Sequence, residues 1–164
     1  MTGIASVIPP ILIGGAIVAI GLYFAAKERN QKIAAGLIKD RKEGFENYAE
    51  IFRISNFSPE EVLQALLSAD YAQKALVERI EGKAALSYKG AGWKAQLYHD
   101  SQEPAQNTYR FELLEWYTKI KGIDDGPYDR DLVLTAVEKA FEKLDPALYL
   151  ATEQIDVKHR YRLF

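Results

Sequence analysis

The sequence predicts an α+β fold: one N-terminal transmembrane helix, then a small domain with an antiparallel sheet of about four strands packed by helices. Three observations support this prediction. Residues 9–26 form an unbroken apolar run, later segments space apolar residues as helices do, and others alternate apolar and polar residues as strands do. The predicted parts are a transmembrane anchor (1–26), a juxtamembrane helix (27–55) and an α+β domain (56–164).

The apolar run has the length and composition of a membrane span. It starts at Pro9, and the first charged residue of the chain is Lys27. As a helix the run would be about 27 Å long, close to the roughly 30 Å of a bilayer's hydrocarbon core. It lacks the polar face of a surface helix. A cleaved signal peptide is disfavoured because residues 1–8 contain no Lys or Arg, and a helix buried in protein is the third alternative.

The residues around the run indicate a topology and a packing face. Basic residues cluster just after the run and none precedes it, which predicts an outside N-terminus and a domain on the cytoplasmic side, or on the matrix side of an organelle's inner membrane. Small residues on the anchor would let another membrane helix approach closely. These residues are Gly14, Gly15, Ala19, Gly21 and Ala25.

Helical patterns follow the run. Residues 27–54 are expected to continue as a helix, either as a stalk or as an amphipathic segment lying on anionic lipid. A strong helix start comes next, because Ser58 can cap the helix and Glu61 completes a capping box around Pro59. A second helical piece is expected over residues 70–80.

The apolar spacing changes to two after these helices, which predicts strands. Two segments joined by a Gly-rich turn are predicted to form a hairpin, and the alternation of the next strand slips at Leu114, which predicts a β-bulge. A helix and a final strand complete the order. The expected strands cover residues 84–88, 92–99, 109–116 and 155–163, and the helix covers residues 130–144.

Composition excludes several classes of chemistry. Lys and Arg number 21 and Asp and Glu 23, so the net charge of −2 gives no case for nucleic-acid binding. The absence of cysteine excludes disulfides, thiolate catalysis and zinc-thiolate sites. The two histidines, His99 and His159, are predicted on the apolar sides of strands and would meet only if those strands are neighbours.

No residue is assigned to catalysis, to a cofactor or to a metal. An acidic group near residue 127 suits turns and helix capping better than calcium binding; its members are Asp124, Asp125, Asp129 and Asp131. Three aromatic residues, Trp93, Trp116 and Tyr98, are the candidates for a partner or ligand surface, although aromatic residues on sheets are more often part of the core.

The sequence therefore predicts a non-catalytic, single-pass membrane protein. Its α+β domain is expected to mediate protein interactions, as an accessory subunit of a larger membrane complex. The expected partners are the lipid bilayer and other membrane or membrane-associated proteins. A membrane-anchored module that binds an apolar small ligand or anionic lipid is the alternative, and an enzyme with an unfamiliar site is a third hypothesis.

Overall fold

The chain divides into two compact units, residues 1–39 and residues 40–164. The computed structural model describes residues 19–20, 23–24, 26–41, 44–55, 57–100, 107–119 and 127–162. In the first unit, residues 26–34 are helical. The predicted division at residues 26 and 55 stays a prediction.

The prediction of a single-pass membrane protein is wrong. Among the described residues, no helix is both long enough and apolar enough to cross a membrane. The helical residues 26–34 are interrupted by charge, with Lys32 and Glu28 paired one turn apart at 2.7 Å. The predicted topology, with an outside N-terminus and a domain on the cytoplasmic or matrix side, depended on that membrane span and is wrong as well.

Most of the predicted anchor falls outside the described residues, namely residues 1–18, 21, 22 and 25. The same holds for four of the five small residues expected to pack against another helix: Gly14, Gly15, Gly21 and Ala25. The fifth, Ala19, is helical and exposed.

The described residues of the second unit form a seven-stranded sheet, where about four strands were expected. Its strands are β1 (Tyr48–Ile54), β2 (Ala75–Arg79), β3 (Ala85–Gly90), β4 (Trp93–His99), β5 (Asn107–Lys119), β6 (Tyr149–Gln154) and β7 (Lys158–Arg162). Their spatial order is β2-β3-β4-β5-β1-β6, and β7 also pairs with β5. The β5–β7 pair is parallel and the other described pairs are antiparallel.

Two helices cover one face of this sheet, which we call the inner face. They are α1 (Pro59–Leu67) and α2 (Pro127–Leu144), and a short 3₁₀-helix (Phe45–Asn47) precedes β1. Apolar residues of both helices share one core with the strands, where Phe52 and Phe141 stack with ring centroids 4.3 Å apart. The predicted capping box is confirmed: Ser58 and Glu61 bond each other's backbone N–H groups.

Parts of two expected helices are strands in the structure, namely residues 48–54 and 75–79. The aromatic spacing that predicted a helix up to residue 54 comes from β1, where Phe52 and Ile54 face the core in alternation. The helical piece expected over residues 70–80 is interrupted because Ala72 and Gln73 have φ angles of 50° and 57°. Tertiary pairing thus overrides the local helical pattern in both segments.

The hairpin and the bulge are confirmed. Strands β3 and β4 pair through the predicted turn. Across β4 and β5, Lys94 pairs with Glu115 while Ala95 pairs with Leu113, so Leu114 is the extra residue. Leu114 is exposed, which explains why its apolar side chain falls out of phase with the core-facing residues.

Gly90 is required by the packing of Trp93, which is 1% exposed and lies directly across the hairpin. A Cβ atom at Gly90 would lie 2.1 Å from Cε2 of the Trp93 ring. We expect Gly90→Ala to lower the free energy of unfolding by about 2 kcal/mol, measured by urea denaturation, because a buried ring must move. In a Trp93→Leu background the same change should cost much less. An equal cost in both backgrounds would contradict this explanation.

Candidate functional site

The structure brings together two of the three aromatic residues that the sequence singled out. Trp93 and Trp116 are paired in register on the inner face, with Trp93 buried in the core. Tyr98 lies on the opposite, outer face of β4, across from Arg110. The three residues therefore do not form one surface.

Trp116 packs between a histidine and an arginine. Its ring stacks on His159 of β7 at 4.0 Å with an interplanar angle of 11°, and the Arg130 guanidinium carbon of α2 lies 4.6 Å from the ring centroid. Sequence spacing does not indicate this arrangement, because β7 joins β5 only through the parallel pairing. The contacts hold the first part of α2 against the β5–β7 corner.

The two histidines do not meet. His99 is in register with Tyr109 of β5, and His159 is in register with Trp116 of the same strand. Seven residues of an extended strand separate these positions, roughly 23 Å. The two histidines therefore cannot act as a pair, because their strands do not bring the rings together.

The predicted acidic group is also divided among different contacts. Asp129 pairs with Lys74 at 3.2 Å, and Asp131 contacts Arg41. Asp124 and Asp125 lie outside the described residues. Within the described part of the chain, no group of three or more His, Cys, Asp or Glu side chains is arranged to hold a metal ion.

A small, partly open cavity lies between α2 and the sheet. Its lining residues are Phe45, Tyr48, Trp93, Phe111, Leu113, Arg130 and Leu134. Its accessible volume is about 10 Å³, which is enough for roughly one water molecule. An apolar small ligand needs several hundred cubic ångströms, so this cavity does not support the small-ligand alternative.

A buried ionic cluster surrounds Arg41, between β1 and α2. Its guanidinium bonds Thr135 at 3.0 Å, lies 3.4 Å from Glu50 of β1, and contacts both Asp131 and Glu138 of α2. The three α2 residues recur at helical spacing and so share one face of the helix. The four charged side chains are at most 10% exposed.

The charge of this cluster depends on a proton at Glu50. Burial and the nearby Glu138 carboxylate raise the pKa of Glu50 to about 8, against the opposing effect of Arg41. At neutral pH Glu50 is therefore mostly protonated. Burial alone would lower the pKa of Arg41, but the carboxylates of Glu138, Glu50 and Asp131 raise it. The cluster ties residue 41 to β1 and α2, a structural role.

Strand β6 is the other notable feature of the second unit, because one of its edges, which we call the free edge, pairs with no described strand. β6 is the last strand in the order and pairs with β1. The Ile155 N–H donates to the Asn47 carbonyl at 2.9 Å, which fixes the phase of this antiparallel ladder. Alternate residues therefore bond β1, and the others direct their N–H and C=O groups away from the sheet. The outward-directed residues are Leu150, Thr152 and Gln154.

Apolar side chains are exposed along this edge. Tyr149 is 56% exposed and Leu150 is 40% exposed. Tyr149 lies on the outer face, where the Arg53 guanidinium is 5.2 Å from its ring centroid. An open groove of about 440 Å³ lies beside this contact. It is lined by Arg53, Ile54, Ser55 and Tyr149.

The other described edges carry more charge. β2 exposes Leu76 but also carries Glu78 and Arg79, which form ion pairs with Lys89 and Glu60. β7 has the sequence KHRYR. In β6 the one charged residue is Glu153, already paired with Arg110 at 2.6 Å. Charges protect sheet edges from pairing, so β6 is the least protected of the three.

Neither protein-family models, nor curated proteins, nor solved structures give a match to this chain. A functional conclusion therefore depends on the geometry of the described residues. The sequence patterns did not indicate the β6 edge. The one sequence feature that could have indicated it is the pair of adjacent apolar residues Tyr149 and Leu150.

Proposed function

We propose that the second unit is a non-catalytic protein-interaction domain that binds an extended segment of a partner protein along the free edge of β6. The observation that carries this proposal is the outward direction of three backbone positions, Leu150, Thr152 and Gln154, on a strand with little protection by charge. A partner segment would add a strand to the sheet through main-chain hydrogen bonds.

Side chains beside the edge would supply selectivity. The partner's residues alternate between the two faces of the extended sheet. Those on the inner face would cover Leu150, and those on the outer face would contact Tyr149 and the groove beside Arg53. A bound partner strand would thus cover the exposed apolar surface of β6.

Thr152→Pro tests this proposal directly. Proline removes the outward N–H and adds ring atoms at the edge, while the β1 ladder uses the N–H groups of the neighbouring residues. Extended peptides selected on the full chain from a random display library are the probe. We expect Thr152→Pro to weaken their binding at least about tenfold, measured by fluorescence anisotropy.

The matched control is Thr152→Val, which keeps the N–H group and should bind the peptides as the wild type does. Thermal unfolding of both variants checks that the fold is retained. Peptides that bind Thr152→Pro with wild-type affinity would show that the edge of β6 is not the binding site.

A further inference from the structure

We infer that the strand that fits the free edge is β6 of a second copy of this chain, antiparallel to the first, with Ala151 of each copy on the twofold axis. This inference rests on the proposed function and names its partner. In an antiparallel twofold interface, the first residues of the strand in one copy face the last residues of the same strand in the other copy, so the two ends must be complementary. The residues of β6 meet this requirement.

The outer face of β6 carries Tyr149 at one end, Ala151 in the middle and Glu153 at the other end. With Ala151 on the axis, Tyr149 of one copy faces Glu153 of the other. A phenol hydroxyl can donate to a carboxylate, so this contact forms twice in the dimer. The Ala151 residues would form a close pair, with Cα atoms roughly 4.5 Å apart, which suits small side chains.

Charge across the interface is complementary as well. Arg110 of β5 is in register with Ile51 and reaches Glu153 diagonally across β1 at 2.6 Å. In the stated alignment Arg53 is also two strands away from Glu153 of the second copy, with the Tyr149 ring on which it lies between them. Each Glu153 would then lie between two guanidinium groups, one from each copy.

The inner face favours the same alignment. Leu150 would face Thr152 of the second copy, so that the exposed Leu150 side chain becomes covered. The neighbouring alignments that keep inner residues together place either Thr152 or Leu150 on the axis. The first sets Glu153 opposite Ala151, the second sets Tyr149 opposite Ala151, and both lose the contact of Tyr149 with Glu153.

The chain contains no cysteine, so a single introduced thiol reports the pairing directly. In the full-length Ala151→Cys variant the two sulfurs should face each other at a separation that a disulfide can span. In Thr152→Cys the Cα atoms of the two copies would be about 8 Å apart, beyond disulfide reach. We expect mild oxidation to cross-link Ala151→Cys at least tenfold faster, measured on non-reducing gels.

Light scattering gives a second measurement. The wild type should have twice the chain mass of 18.5 kDa, and Thr152→Pro should be monomeric. Faster cross-linking of Thr152→Cys would overturn the stated alignment. A monomeric wild type with equally slow cross-linking of both variants would overturn the second-copy inference. In that case, peptides that bind the wild type but not Thr152→Pro would still support the proposed function.

Discussion

Arg41→Met is expected to lower the free energy of unfolding by about 3 to 5 kcal/mol, measured by urea denaturation at pH 7. Methionine replaces much of the side-chain volume but removes the positive charge. The carboxylates of Asp131 and Glu138 would then remain buried together, beside the protonated Glu50, without their shared cation. Buried like charges repel strongly and keep little compensating solvation, so this loss should be among the largest from any single polar substitution in this chain.

The matched control is Arg79→Met. Arg79 also pairs with a glutamate, Glu60, but its side chain is 41% exposed, so its removal should change stability far less. Equal effects of the two substitutions would contradict the role assigned to the Arg41 cluster.

Glu50→Gln is expected to change how stability depends on pH. Folding raises the pKa of Glu50 from 4.5 to about 8, so the folded protein keeps a proton that the unfolded chain releases. The stabilisation is complete below pH 4.5 and is lost as the pH rises through 8. Between these limits the wild type should lose about 4 to 5 kcal/mol relative to Glu50→Gln, which cannot release a proton.

Urea denaturation of both proteins between pH 4 and pH 9 measures this difference. Glu60→Gln is the control, because hydrogen bonds from Arg79 and Gln64 lower the pKa of Glu60 and confine its effect to acid pH. Parallel stability curves for Glu50→Gln and the wild type would show that Glu50 is ionised in the folded protein at neutral pH.

The sequence predicts the elements whose signals are local. The capping box at Ser58, the β3–β4 hairpin and the bulge at Leu114 depend on neighbouring residues, and the structure confirms each of them. Helix α2 is also found where its apolar spacing placed it. These elements form the middle of the second unit.

The elements that carry the candidate site lack such signals. β6 is exposed on both faces, so its side chains show no alternation, and its strand conformation comes from pairing with β1. The contact of Arg41 with Glu138 spans 97 residues, a separation that no periodicity reveals. The predicted anchor, in contrast, followed from hydropathy alone, which does not distinguish lipid from other apolar surroundings.

The most direct test of the proposed binding edge is residue-resolved amide hydrogen exchange of the full chain, followed by NMR during dilution and during peptide addition. The β1 ladder should protect the amides of residues 149, 151 and 153 in every state. We expect the amides of Leu150, Thr152 and Gln154 to exchange rapidly in the dilute free protein and to become protected when a strand binds. If these three amides exchange equally fast in the bound state, β6 is not where the partner binds.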